Sequence, residues 1–315
     1  MDRGLFIFCI PGISEYVKKV LFQSHFSLED FEGRPGAVGQ YLKIGKNFTY
    51  DVSRAEQCYH LAENFLERAD CHGFCHCFSS EYPFLLGDER HLPFGLMFTG
   101  SLDQNWNHSL TAVGTRRPTG ESRQQAYRFG LECGLNGVSV VSGLAYGLDQ
   151  AVMQGCLDGG GRVIGVLGCG LDVDYPHNAG YLKQRIISQG GLLISQFLPS
   201  ACGMRYNFPI RNQVLALLTR FTVVFQAGIH SGALGTAGFA LDGGRDVYVH
   251  GSARRSGRQF EGSSLLCDDG ASEIDTVAQL IEKDAITVHR VPYSPEFELQ
   301  NCNRYRYCEA WYVKS

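Results

Sequence analysis

Between Leu110 and His250 the chain alternates short apolar runs with longer amphipathic stretches, and glycine marks most junctions. The apolar runs are continuous and rich in β-branched residues, which is typical of strands buried on both faces of a parallel sheet. They predict strands at Leu110–Val113, Val138–Val141, Val163–Leu167, Leu192–Ser195, Thr222–Gln226 and Val247–His250. The stretches between them predict helices at Ser122–Leu135, Asp149–Leu157, Ala179–Ser188, Asn212–Thr219 and Leu234–Leu241. This alternation predicts an α/β fold with an extended Rossmann-like, doubly wound and mostly parallel sheet.

Residues 1 to about 80 lack the glycine-marked alternation and contain helix-like stretches at Ser14–Gln23 and Ser53–Ala69. A chain of 315 residues is long for a single domain. We therefore predict a small helical N-terminal domain over 1–80, a Rossmann-like core over 81–275 and a short C-terminal tail over 276–315. The tail, with its aromatic and basic residues 303–307, is expected to be a short helix and a loose terminus.

The composition, with 44% hydrophobic and 19% charged residues, is that of a folded protein. A formal net charge of −4 gives no overall attraction to nucleic acid, so any such binding needs a local basic patch. The apolar run Leu5–Ile10 stops at Pro11 and is too short for a signal peptide or a membrane span. A cytoplasmic protein with no membrane partner is expected, and its twelve scattered cysteines are expected to be reduced.

The segment from Cys71 to Cys77 holds three cysteines and two histidines, which are residue types that bind zinc. Its spacing fits no paired C-x-x-C arrangement, so reduced and partly buried cysteines are favoured over a metal site. Cys169 lies between two glycines, and no histidine lies beside it before His177. A small residue in a tight turn is favoured there over a reactive thiol. We expect no metal, no cofactor and no catalytic residue.

The loop after the first predicted strand, Gly114–Gly120, combines glycines with Arg116 and Arg117 just before a helix. Glycine permits close approach of the backbone to a ligand, and amides at a helix start together with arginines favour an anion. The loop thus predicts a phosphate site. It matches neither the G-x-x-x-x-G-K-[ST] nor the G-x-G-x-x-G motif, which lowers the support for ATP hydrolysis and for dinucleotide binding.

Three further loops have similar character: 142–149, 205–212 and 230–237. The second of them places two arginines and two aromatic residues at the entry to a helix, where they could pair with phosphates and stack on bases. An aromatic core plug with solvated arginines explains that loop equally well. Close packing of helix on sheet is the alternative for the third loop.

Taken in order, these loops resemble those of the DNA-processing protein A (DprA/Smf) family. The matching residues are Gly114-Thr-Arg-x-Pro-Thr119, Ser142-Gly-Leu-Ala-x-Gly147 with Asp149, Gly168-Cys-Gly-Leu-Asp172 with Tyr175-Pro176, Phe208-x-x-Arg211-Asn212 and Ser231-Gly-x-Leu-x-Thr236. The resemblance runs from about Tyr82 to Ala271. It implies an extended Rossmann fold that binds single-stranded DNA, forms a homodimer and hands the strand to the RecA recombinase in natural transformation and recombination, without catalysis.

Carried over to this chain, the resemblance makes Arg116, Arg211 and the backbone at Ser142 and Gly143 phosphate contacts, and Phe208 an aromatic near the bases. The full set of expected DNA-binding residues is Gly114, Thr115, Arg116, Thr119, Ser142, Gly143, Arg205, Phe208, Arg211, Asn212, Ser231 and Gly232. The chain departs from the family pattern at Tyr146, Val152, Gln196, Gln213, Gln226 and Ser264. Two of these departures lose a basic residue and two replace Glu by Gln, so we expect binding of lowered affinity. The family's C-terminal winged helix is expected to be missing.

Two other functions stay open. A nucleotide phosphoribohydrolase would share the Gly-Thr loop, but Gly235-Thr236 is not followed by the Glu that such enzymes use, and Asp149 or Asp172 would have to serve instead. A helix cap or turn role is favoured for both aspartates. A scaffold that binds a protein partner is favoured by the departures at Tyr146 and Gln213 and opposed by the arginines that remain.

Overall fold

The computed structural model describes residues 1–24, 50–86, 92–102, 106–177 and 179–282, together with positions 27, 30, 36 and 40. The helices before the sheet whose bounds the structure describes are α1 (Arg3–Cys9), α2 (Glu15–Gln23) and α3 (Val52–Glu67). Each begins after a residue whose side chain accepts a hydrogen bond from an early amide of the helix, namely Asp2, Ser14 and Asp51. The helical character predicted for this region is confirmed for both predicted stretches.

The described residues contain a nine-stranded sheet, in the order β1-β2-β6-β5-β4-β3-β7-β8-β9. Its strands are β1 (His72–His76), β2 (Gly95–Gly100), β3 (Ser109–Val113), β4 (Ser139–Ser142), β5 (Val163–Leu167), β6 (Leu192–Ser195), β7 (Phe221–Val224), β8 (Asp246–His250) and β9 (Ser272–Ile274). The pairs from β6 through to β9 are parallel, whereas β2 runs antiparallel to both of its neighbours. The Rossmann-like fold is confirmed, and the six predicted strands are all present.

Helices cover both faces of the sheet. They are α4 (Gly120–Leu135), α5 (Leu148–Asp158), α6 (Gly180–Ser188), α7 (Asn207–Leu217), α8 (Gly232–Asp242), α9 (Glu261–Asp268) and α10 (Val277–Glu282), with short 3-10 turns at Phe84–Leu86, Trp106–His108 and Gly251–Ala253. One core cluster joins the sheet to α4, α5, α6 and α10, and a second joins its other face to α7 and α8. Strands β3 to β7 are thereby buried on both sides, as their continuous apolar runs require.

Helices α4 and α5 pack closely because glycines line their contact. A methyl group added at Gly130 would lie 2.0 Å from the Val152 carbonyl oxygen, and one added at Gly155 would lie 2.0 Å from the Tyr127 carbonyl oxygen. Only a residue without a side chain lets the two backbones meet at that separation.

The segment with the cysteines and histidines is strand β1, a structure that the sequence did not predict. Strand geometry sends alternate side chains to opposite faces, so the cysteines of this run do not converge on one point with its histidines. Cys75 is buried while Cys71 is exposed. The strand joins the main sheet, and the N-terminal helices pack on Phe94 and Met97 at and beside β2. The boundary predicted near residue 80 therefore divides a pair of hydrogen-bonded strands, and the domain division itself stays a prediction.

At the other end, α10 packs Val277 and Leu280 into the first core cluster. This is the short helix expected for the tail. The remainder of the predicted tail, 283–315, with its aromatic and basic stretch, lies outside the described residues.

Strand order reverses beside β3. From β3 the chain proceeds through β4, β5 and β6 in one direction, then crosses back to β7 on the other side of β3 and continues through β8 to β9. Loops that leave β3 and β7 therefore diverge from each other. In open α/β sheets a crevice forms at this point, at the carboxyl ends of the strands, and ligands bind there.

Candidate functional site

A cleft of about 770 Å³ lies at this switch point. Its walls come from the loop after β3, the first turns of α7 and the loop after β7, closed on one side by the segment before α9. Eight of the twelve residues predicted from the sequence line it: Gly114, Thr115, Arg116, Phe208, Arg211, Asn212, Ser231 and Gly232. The other four, Thr119, Ser142, Gly143 and Arg205, do not.

Arg116 and Arg117 leave the loop after β3 and are both exposed at the mouth of the cleft. Neither has a carboxylate within 4 Å among the residues that the structure describes. The Arg116 guanidinium carbon lies 5.3 Å from the centre of the Phe208 ring, which holds it in place through a cation–π contact. This loop therefore presents two unneutralised positive charges to a ligand.

Backbone amides of the same loop are mostly used within the protein, contrary to the expectation that they meet a phosphate. The amide of Thr115 donates to the Gln226 carbonyl oxygen at 2.8 Å, and that of Arg117 donates to the Thr115 hydroxyl at 3.2 Å. Thr119 caps α4, accepting from the Ser122 amide, while its own amide donates to the Gln226 side chain at 2.8 Å. In this structure Thr119 is thus a helix cap. The groups that this loop leaves exposed to an anion are therefore its two arginine side chains.

Phe208 and Arg211 lie within α7, which begins at Asn207, rather than in a loop before a helix. Pro209 falls in the first turn, where a missing amide hydrogen costs nothing, so the proline does not delay the helix. The half-buried Phe208 ring packs on Tyr175, with 5.2 Å between ring centres, and forms an apolar wall of the cleft.

Arg211 forms the floor of the cleft and is only 5% exposed. Its guanidinium donates to the carbonyl oxygen of Gly143 at 2.8 Å and to that of Val166, while its Nε donates to the Asn212 side chain at 3.0 Å. Arg211, which was predicted to contact phosphate, is in this structure buried and ties α7 to the ends of β4 and β5.

Asp149 lies beside this clamp and is also buried. Its Oδ2 accepts hydrogen bonds from the amides of Gly143 at 3.2 Å and Ala145 at 3.3 Å. Burial raises the pKa of the Asp149 carboxyl, against the lowering effects of the Arg211 charge and of the amide hydrogen bonds. Burial likewise lowers the pKa of Arg211, while Asp149 raises it. The carboxylate is thus engaged in holding the loop after β4.

Ser142 and Gly143 face this interior network rather than the cleft. The Ser142 hydroxyl donates to the Ala112 carbonyl oxygen at 2.7 Å, and a side chain added at Gly143 would lie 2.6 Å from the Arg211 guanidinium. Neither residue lines the cleft, and their contact with a phosphate stays a prediction. Arg205 is exposed in the turn before α7, outside the cleft.

The loop after β7 leads into α8, whose first residue is Gly232. Ser231 caps the helix by accepting from the Ala233 amide at 3.2 Å, so the amino end of α8 opens on the cleft. Asn212 reaches across from α7 and donates to the Gly232 carbonyl oxygen at 3.4 Å. These three residues connect the two walls of the cleft.

Some departures from the family pattern have local structural roles. The Tyr146 hydroxyl donates to the His177 carbonyl oxygen, so this ring joins the loops after β4 and β5. The Gln226 side-chain oxygen accepts a hydrogen bond from the Thr119 amide, and its Nε2 is buried with no hydrogen-bond partner. Gln196 has a buried Oε1 without a partner. Val152 is buried in the core, and Ser264 is half-buried on α9.

Arg258 and His230 line the cleft but were absent from the residues predicted to bind. Arg117 was recognised only as part of the first loop. A signal for Arg258 exists in the sequence, because three arginines occur within 254–258. That run follows a strand without a glycine-rich loop motif, so it was not associated with the site.

The thiol considered for chemistry is buried, and the two carboxylates are engaged by other groups of the protein. Burial raises the pKa of the Cys169 thiol, against the lowering effects of Lys183 and Arg211, and a raised pKa disfavours the reactive thiolate. Asp172 pairs with Arg68 at 2.6 Å. No group of three or more His, Cys, Asp or Glu among the described residues is arranged to hold a metal ion. Over the same ranges, no helix combines the length and the apolar character needed to cross a membrane.

Sequence comparison places these features in a family. A profile described as DNA recombination-mediator protein A matches residues 73–284. The chain is 31% identical over 219 residues to protein Smf of Escherichia coli, covering 69% of this chain and 58% of that protein. It is 36% identical over 247 residues to protein Smf of Synechocystis, covering 76% and 61%. The chain thus spans about three fifths of the length of these relatives.

Two solved structures resemble the fold. DNA processing protein A from Streptococcus pneumoniae superposes with a TM-score of 0.69 at 22% identity, covering 92% of this chain and 99% of that one. DNA processing protein A from Helicobacter pylori, described for its single-stranded DNA binding mode, gives a TM-score of 0.57 at 24% identity, covering 67% and 94%. At these identities the likeness establishes the fold.

Proposed function

Since this chain belongs to the family of DNA recombination-mediator protein A, the DprA/Smf family that its loops resemble, we propose that it binds single-stranded DNA in the switch-point cleft. The observation that carries this proposal is the pair of exposed guanidinium groups, Arg116 and Arg117, beside an apolar wall. Guanidinium groups pair with the phosphates, and the wall accepts a base removed from water.

A single strand suits this site better than a duplex. The arginines sit on loops at the end of a sheet, and α7 is packed against the protein rather than projecting into solvent, so α7 is not free to enter a major groove. Binding through phosphates and nonpolar contact with bases carries little sequence information. We therefore propose binding that prefers single strands and reads sequence poorly.

We further propose that the protein acts without catalysis and without a cofactor. Asp149 and Asp172, the carboxylates nominated for acid–base chemistry, are engaged by loop amides and by Arg68. On the pattern of the family, we propose a cytoplasmic homodimer that presents the strand to the RecA recombinase. Turnover of AMP or ATP that disappears on changing Asp149 or Asp172 would contradict the proposal of a non-catalytic protein.

Fluorescence anisotropy of labelled oligo-dT, at low and at moderate salt, tests the proposed binding directly. We expect oligo-dT to bind more tightly than a hairpin stem with the same number of phosphates, with an affinity that falls linearly on a log–log plot as salt rises. Equal affinity for both probes would contradict the preference for single strands. Absence of binding to oligo-dT at low salt would overturn the proposed function.

A scaffold that binds a protein partner is the second candidate. It is favoured by the lack of positive charge at two departures from the family pattern. The Tyr146 hydroxyl donates to the His177 carbonyl oxygen, and Gln213 carries no charge. The scaffold requires no cation at the cleft mouth. Oligo-dT binding that is weakened by Arg116→Ala would therefore exclude a scaffold without a DNA site.

A further inference from the structure

The segment between β8 and α9 carries three arginines in different surroundings. Arg254 pairs with Glu273, and Arg255 donates two hydrogen bonds to the carboxylate of Glu121 in the first turn of α4. Arg258 is exposed, lines the cleft and has no carboxylate within 4 Å in the part of the chain that the structure describes. One of the three charges is thus left for a ligand.

The backbone of this segment is fixed against the loop after β7. The Ser263 amide donates to the Ala227 carbonyl oxygen at 3.1 Å, and Phe260 is buried beside it. A side chain added at Gly228 would lie 3.3 Å from the Arg258 carbonyl oxygen, so the two loops are in close contact. Arg258 therefore belongs to a part of the cleft lining that is held against the loop after β7.

The Arg255–Glu121 pair joins this segment to the first turn of α4. Glu121 lies just after the loop that holds Arg116 and Arg117, so the pair spans from the segment before α9 to the start of α4. A bidentate arginine–carboxylate pair fixes orientation as well as distance. The pair restrains the position from which Arg258 reaches the mouth.

We infer that Arg258 is a further phosphate-contacting residue of this cleft and that Arg255, through Glu121, is its positioning residue. The inference rests on the proposed binding of single-stranded DNA. It gives the mouth three exposed guanidinium groups from two different segments, the loop after β3 and the segment before α9. No residue of the segment was expected from the sequence to bind.

The charge balance at the mouth supports this role. Four arginines line the cleft, Arg116 and Arg117 on one loop, Arg211 at the floor and Arg258 before α9, whereas its lining contains two carboxylates, Asp149 and Glu261. Asp149 is buried beside the Arg211 charge, and the nearby Glu121 is neutralised by Arg255. The cleft mouth is therefore positive, although the whole chain has a formal net charge of −4.

The first test compares Arg258→Ala with Arg254→Ala, which removes the same charge from the same segment but leaves the cleft unchanged. Oligo-dT binding is measured by anisotropy across a salt series. We expect Arg258→Ala to bind severalfold more weakly and to reduce the slope of log affinity against log salt by about 0.7, as for loss of one single-strand phosphate contact. Arg254→Ala should leave the slope unchanged, and Arg258→Lys should restore it.

The second test places Arg255→Lys in the wild-type and Arg258→Ala backgrounds. Lysine keeps the charge but cannot form the bidentate pair. We expect Arg255→Lys to weaken binding severalfold in the wild type and to have no effect once Arg258 is absent, because positioning matters only while Arg258 is there to be positioned. Equal effects in both backgrounds would refute the positioning role.

If the wild type binds oligo-dT but Arg258→Ala keeps its affinity and slope, the inference is wrong and the proposed function stands. Equal loss of slope in Arg254→Ala and Arg258→Ala would also refute it, since net charge would then explain both. A wild type that does not bind at low salt overturns the inference together with the proposed function. Urea unfolding of each variant establishes that the compared proteins are folded.

Discussion

Arg116 and Arg211 both lie within 6 Å of the Phe208 ring centre, but their environments are opposite. Arg116 is exposed, whereas Arg211 is buried under two backbone carbonyl groups and beside Asp149. Breaking the interactions of a buried guanidinium lowers the free energy of unfolding far more than breaking those of an exposed one, because the remaining buried partner is left without its counter-charge. We therefore expect the first residue to govern affinity and the second to govern stability.

Arg211→Ala should lower the free energy of unfolding by about 3–5 kcal/mol, because it leaves the Asp149 charge and two carbonyl oxygens buried without this partner. Arg116→Ala, as the matched control, should change it by less than about 0.5 kcal/mol. Urea unfolding at constant salt measures both. A fully stable Arg211→Ala protein whose DNA affinity has a shallower salt slope would instead make Arg211 a phosphate ligand, as the sequence suggested.

At the scale of elements, the contact between α4 and α5 depends on backbone approach at Gly130 and Gly155. The nearest atoms to an added methyl group are backbone oxygens, which cannot turn aside as a flexible side chain would. By contrast, Gly235 in α8 is exposed, with no atom within 4 Å of an added methyl group. Identical substitutions at these helix positions should therefore have opposite effects.

Gly155→Ala should destabilise the protein by about 1–3 kcal/mol through overpacking. Gly235→Ala should stabilise it by about 0.5–1 kcal/mol, because alanine loses less backbone entropy in a helix. Thermal or urea unfolding distinguishes the two signs. Stabilisation by Gly155→Ala would mean that the two helices can separate without loss, in conflict with the packing described.

The sequence was informative where one physical requirement dominated. The six strands buried on both faces were predicted because their runs are continuously apolar, as in Val163–Leu167. Three strands were missed: β1, an edge strand with polar residues, β2, which has a glycine at each end, and β9, which has three residues. All three owe their conformation to pairing with a neighbouring strand, which local sequence does not encode.

The candidate site was predictable to the same extent. The family-like loops were expected to share one DNA-binding role, and Gly114–Arg116, Phe208 and Ser231 do line one cleft. Burial was not predictable, because Arg211 and Ser142 are turned inward by partners distant in sequence. Arg258 lines the cleft because its segment packs on the loop of Gly228, and no sequence motif predicts that packing.

At the scale of the whole molecule, three histidines connect stability to pH. Burial lowers the pKa of His72 and His76 on β1 and of His250 on β8, outweighing in each case the raising effect of nearby aspartates. The unfolded chain takes up protons near the ordinary histidine pKa of about 6.5, and the folded protein does so only at lower pH. The stability that these histidines contribute is therefore fully present above that pH and is lost as the pH drops below it.

Replacing His250 by Gln should make the urea midpoint less sensitive to pH between about 7.5 and 5. The histidine contributes at most about 1.4 kcal/mol per pH unit within its window. Subtracting the variant's profile from that of the wild type isolates this residue from all other groups. Parallel profiles would show that His250 takes up its proton equally in the folded and unfolded chains.

The reversal of strand order beside β3 has a consequence for how this molecule can diverge. Arg116, His230 and Arg258 line the cleft from segments that follow three different strands, β3, β7 and β8, so each of them can change independently of the others. A lineage can exchange one of them without disturbing hydrogen bonds between strands. The substitutions at Tyr146 and Gln226 fit this pattern, since each side chain has found a local partner while the sheet is intact. Ligand preference can thus drift in steps while the architecture is conserved.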